Sequence, residues 1–109
     1  MTNETTPAQQ LQKQTFKLRN EAYQAKLWAF TCEQCALSTK RTEAKRKAYA
    51  KEAHKEYKQA AKIYALAAAT CEAWLALDNG KGVRWWYKHF PAILRRASDR
   101  SAAASKLLK

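Results

Sequence analysis

Small and apolar residues recur along this chain at alternating intervals of four and three, and three separate segments carry the pattern. Such spacing draws a single seam along an α-helix. Leu11, Thr15, Leu18, Ala22, Ala25, Ala29, Cys32 and Ala36 form the first seam. Ala50, Ala53, Tyr57, Ala60, Tyr64, Ala67, Cys71 and Trp74 form the second, and Phe90, Leu94, Ala97, Ser101, Ala104 and Leu108 the third. Small side chains dominate the first seam, so a neighbouring helix can approach closely. A further stripe of Phe16, Tyr23, Phe30 and Leu37 repeats every seven residues, about 100° around the helix from the first seam. The first helix therefore needs two neighbours, and this stripe is a candidate partner interface.

The ends of these segments are marked as clearly as their faces. From Ala8 to Asn79 there is neither Gly nor Pro, and Ala, Lys, Gln, Glu and Leu abound, all good helix formers. Thr6-Pro7-Ala8-Gln9 supplies an N-cap, a proline at the first helical position and a capping-box glutamine. The hydroxyl cluster Ser38-Thr39-Lys40-Arg41-Thr42 predicts a turn, with a new helix capped just before Glu43. Asp78-Asn79-Gly80-Lys81-Gly82 stops that second helix. The expected elements are a helix over 7–38, a helix over 42–78, an aromatic turn over 83–90 and a helix over 91–108.

Together these predict a single all-α domain over 1–109. It is a three-helix bundle built on a long, coiled-coil-like antiparallel hairpin with a shorter C-terminal helix. With turns near residues 40 and 80, facing residues sum to about 80 across the first turn and about 160 across the second. Trp74 then faces Trp86, Tyr64 lies level with Arg96, and the first and third helices run parallel. At 1.5 Å per residue the third helix covers only about half of the hairpin. Trp28, Phe30, Leu37 and Tyr49 on the uncovered arm are left in water, which calls for a second subunit or another partner.

Charge turns this scaffold into a candidate binding surface. Lys and Arg number 21 against nine acidic residues, a formal net charge of +12 in 109 residues. An excess of that size on one small domain favours an anionic partner, nucleic acid first. Lys47, Lys51, Lys55, Lys58 and Lys62 follow one another at helical spacing, so they line one face. A row of ammonium groups on a stiff rod tracks a phosphate backbone without reading sequence. A second positive patch comprises Arg84, Lys88, Arg95, Arg96 and Arg100, with Trp85 or its neighbour Trp86 placed to stack on a base. The expected function is a non-enzymatic helical protein that binds RNA or DNA through its backbone, as an oligomer or as a small subunit of a ribonucleoprotein.

The alternative is a protein-interaction module that docks the hairpin onto an acidic protein, the character, by composition, of small accessory or inhibitor proteins of mobile elements. A membrane-surface helix fits less well, because the basic rows are backed by alanine rather than by a strong apolar face. The most apolar stretch, Ile63 to Leu77, carries Thr70 and Glu72 and reads as the buried half of a helix. No membrane span and no secretory signal is expected.

Catalytic and metal chemistry find little support. Cys32-Glu33-Gln34-Cys35 sets two thiols one helical turn apart, but the hairpin puts Cys71 roughly 30 Å away and offers no fourth ligand for zinc. Cys32 and Cys71 lie on apolar seams and read as core thiols. His89 near Cys71 lacks an acidic orienter and an oxyanion site. Gly80-Lys81-Gly82 has no preceding strand and reads as a helix stop rather than a phosphate loop. Neither metal nor cofactor is expected, and three cysteines without secretory features fit a reducing cytoplasm.

Overall fold

The computed structural model describes residues 6–78 and 88–108. It contains α1 (Pro7–Leu37), α2 (Glu43–Asp78) and α3 (Phe90–Leu107). The fold is all-α, a long antiparallel hairpin of α1 and α2 with the shorter α3 laid along it. The expected aromatic turn over 83–90, with Arg84, Trp85 and the pairing of Trp74 with Trp86, lies outside the described residues apart from Lys88, His89 and Phe90.

The helix ends form where their side chains can satisfy the unpaired backbone groups. Thr6 accepts from the Gln9 amide through its hydroxyl at 3.2 Å, and the Gln9 side-chain carbonyl accepts from the Thr6 amide at 3.1 Å, a complete capping box. The predicted hinge is present: α1 stops at Leu37, and extended Ser38 donates its amide to Cys35 at 3.3 Å. Thr42 then caps α2, its hydroxyl accepting from the Lys45 amide at 3.3 Å. Arg46 reaches back across the turn and donates from Nε to the Ala36 carbonyl at 3.0 Å, satisfying an end group of α1.

Cross-helix contacts give the register. Trp28 Nε1 donates to Glu52 at 3.4 Å and Tyr57 to Glu33 at 3.5 Å across the hairpin. Ser98 Oγ donates to the Ala61 carbonyl at 2.7 Å, and Ser105 meets His54. Three of these four pairs match the expected sums closely and Tyr57 with Glu33 lies about ten higher, an order that makes α2 antiparallel to both α1 and α3.

Packing follows the seams. Thr15, Ala22, Ala29 and Cys32 are buried on α1, every second-seam residue from Ala53 to Trp74 is buried on α2, and Phe90, Leu94 and Ser101 are buried on α3. The larger core cluster gathers Ala22, Ala60, Tyr64, Cys71, Trp74, Phe90 and Leu94, with Phe16 against it. Phe16 lies 5.6 Å from the Phe90 ring and 6.3 Å from Trp74, centroid to centroid. A smaller cluster of Ala29, Cys32, Ala53 and Tyr57 continues toward the hairpin turn.

Two expectations need correcting. First, although α3, with 18 residues against 36 in α2, covers about half of the hairpin as expected, the uncovered arm is not all in water. Tyr49 is half-buried against the hairpin's own side chains, with the Arg41 guanidinium 4.9 Å above its ring. Trp28, Phe30 and Leu37 do stay exposed, at 50%, 52% and 63%. Second, by length and composition alone α2 reaches what a membrane-crossing helix needs, a length the sequence was not expected to offer. Tyr64, Ala67, Cys71 and Trp74 of that apolar half form the core here.

Candidate nucleic-acid interface

Lys47, Lys51, Lys55, Lys58 and Lys62 are all exposed. At about 100° per residue they fall within a sector of roughly 80°, opposite the α2 seam that packs on α1. Their Cα atoms span about 22 Å along the axis. Burying the alanine and tyrosine seam against α1 thus turns this row outward.

Three acidic residues of the hairpin are engaged away from the row. Glu52 accepts from Trp28 and Glu33 from Tyr57, both half-buried between the helices. Glu72 pairs with Arg95 across α2 and α3. Within the row only Lys47 has an ion pair among the described residues, to Glu43 at 3.6 Å, with both side chains largely exposed. An exposed pair of this kind is worth little and opens readily. Four of the five ammonium groups face solvent without a carboxylate partner among the described residues.

The second positive patch does not stay together. Arg95 turns to α2 and its Glu72, whereas Arg96 and Arg100 turn to the other side of α3, where they line a cleft with Lys26 of α1. Lys88 is exposed just before α3. Lys106, which the sequence did not single out, lines a cleft of about 310 Å³ with Lys58 and His54, and so extends the α2 row onto α3. In that cleft His54 Nδ1 lies 2.7 Å from the Ser105 carbonyl, an atom that only accepts, so Nδ1 carries the proton. The Ser105 hydroxyl donates to the His54 carbonyl at 3.1 Å.

The candidate partner stripe is also divided. Phe16 belongs to the protein's own core, because α3 begins beside it with Phe90, while Tyr23, Phe30 and Leu37 are exposed. Lys26, Ile93 and Leu107 went unnoticed beside them in the sequence. The signal was available: residues 93, 100 and 107 each precede a seam position of α3, as residues 23, 30 and 37 each follow one of α1.

Cys32 and Cys71 lie in surroundings that disfavour a thiolate. Cys32 and Cys71 are fully buried and Cys35 is half-buried, all three unpaired. Burial first, and Glu72 second, push the Cys71 thiol up to about 11. Burial also raises Cys32, helped by Glu52, Cys35 and Glu56. A nucleophilic or metal-binding thiolate needs the opposite shift. Among the described residues no three His, Cys, Asp or Glu side chains gather closely enough to hold a metal.

No protein-family model, curated protein or solved structure matches the chain.

Proposed function

We propose that this protein binds the phosphate backbone of RNA or DNA through the outer face of α2, without catalysis and without reading sequence. The observation that carries the reading is the lysine row from Lys51 to Lys62, without an ion pair among the described residues, displayed on a long helix on which Glu52 is engaged by Trp28 of α1. Each phosphate neutralised releases condensed counterions, so the affinity is electrostatic and falls with salt. Lys106 and Lys58 widen the row on its α3 side, and a reducing cytoplasm, where thiols stay free, fits the unpaired cysteines.

Binding to a single-stranded homopolymer, followed by fluorescence anisotropy across salt concentrations, tests this directly. About five neutralised phosphates give a log–log slope near −3.5, and Lys51→Gln with Lys55→Gln lowers its magnitude by about 1.4. Affinity independent of salt, or a slope untouched by the double substitution, would refute the assignment to α2.

A further inference from the structure

Each helix of this bundle carries two adjacent columns of positions repeating every seven residues. On α2 both are covered: Ala53, Ala60 and Ala67 are buried beside α1, and the next residues, His54, Ala61 and Ala68, lie toward α3. Neighbouring residues point about 100° apart on a helix. Two partners at that angle make the corner of a four-helix square, where neighbours subtend about 90°, rather than of a closed triangle at about 60°. Close backbone approach is accordingly extensive between α1 and α2 and between α2 and α3, but sparse between α1 and α3. The backbone envelope is flat, 59 × 30 × 17 Å.

The second columns of α1 and α3 border the open side. Tyr23, Phe30 and Leu37 follow seam residues of α1, and Ile93, Arg100 and Leu107 precede seam residues of α3. Because α1 and α3 run parallel, the two columns lie abreast: Lys26 lines a cleft with Ile93, Arg96 and Arg100, and further along Leu37 lines one with Leu107. Their apolar members are exposed, Leu107 at 87%. No carboxylate lines the first cleft, and at the far end Glu43 is paired with Lys47.

We infer that the groove between α1 and α3 is the empty fourth position of a helical bundle, and that it receives an acidic amphipathic helix of a partner protein. From Tyr23 to Leu37 the groove offers about 21 Å, or four helical turns. The occupant sets its apolar seam on the Tyr23, Phe30, Leu37, Ile93 and Leu107 side chains and its flanking carboxylates against Lys26, Arg96 and Arg100. A second copy of this chain is the wrong occupant, because a two-fold contact would bring these same cations against themselves.

The test uses a labelled helical peptide of about 18 residues with leucine at the seam and glutamate beside it, and a twin with lysine in place of glutamate. At physiological salt the glutamate peptide binds, and the twin binds at least about tenfold more weakly. Phe30→Glu and Lys26→Glu, both checked for unchanged helicity by circular dichroism, each weaken the glutamate peptide about tenfold or more. Lys51→Gln with Lys55→Gln leaves peptide binding intact while lowering nucleic-acid affinity, so the groove and the lysine row stand or fall separately. The inference is overturned if no peptide binds or both bind alike. It is equally overturned if binding survives both groove substitutions, or if light scattering finds a dimer that Phe30→Glu dissociates.

Discussion

The two ends of the bundle are built on different principles. At the end where α3 begins, Phe16, Trp74 and Phe90 bring three rings together and Leu94 closes over them, all three helices taking part. Toward the hairpin turn the core narrows to Ala29, Cys32, Ala53 and Tyr57, with Ala104 and Leu108 as the last contribution from α3. Past that point the large side chains, Phe30 and Leu37, face outward instead. Large rings bury far more apolar surface than alanines, so the stability of the bundle is concentrated at the first end. The turn end is held chiefly by caps and by the Arg46 bond to the Ala36 carbonyl. It remains free to present surface.

Substitutions can break this contrast or make it sharper. Trp74→Ala has the largest expected effect, because it empties the aromatic end: a loss of about 3–5 kcal/mol, read from the urea midpoint of unfolding. A loss below about 1 kcal/mol would mean that the rings do not anchor the fold.

Alkaline pH probes the same end more gently. The folded Cys71 thiol, raised from 9.0 to about 11, is held in its neutral form by burial. Its contribution is therefore complete below about pH 9, where the unfolded thiol starts to ionise, and is lost as pH rises toward the folded value. Full titration removes about 2–3 kcal/mol, visible as a falling urea midpoint that Cys71→Ala flattens above pH 9. Leu37→Ala, at the turn end, is expected to change stability by less than about 0.5 kcal/mol, since most of that side chain is already in water. A cost comparable to that of Trp74→Ala would erase the distinction between the ends.

The seams were legible in the sequence because alternating threes and fours of small residues admit no other packing face. Ala53, Ala60 and Ala67 are buried for the reason their spacing gives. The hinge was legible as well, since Ser38 and Thr42 each have a hydroxyl suited to a helix end. What periodicity could not assign was the second stripe of α1. Phe16 and Tyr23 have the same spacing and similar chemistry, yet only Phe16 lies level with the start of α3 and is covered. The basic patch of α3 was read as one surface because Arg95, Arg96 and Arg100 are close in sequence. On a helix Arg95 and Arg96 diverge by about 100°, enough to send one to Glu72 and the other toward Lys26.

The serines on α3 have a consequence for how that helix is positioned along its track. Ser98 and Ser105 are seven residues apart and grip the carbonyls of Ala61 and His54, which are also seven apart. Sliding α3 by one heptad, about 10 Å, would lay Ser98 on the carbonyl that Ser105 now holds. Like a ratchet with equal teeth, the hydroxyls fasten the helix but do not number its notches. The numbering comes from side chains whose size changes seven residues on: Phe90 and Leu94 fill the wide aromatic end, and the same slide would drive them into the places now held by Ala97 and Ser101. Those two side chains index α3, and through it decide which side chains stand opposite one another across the open groove.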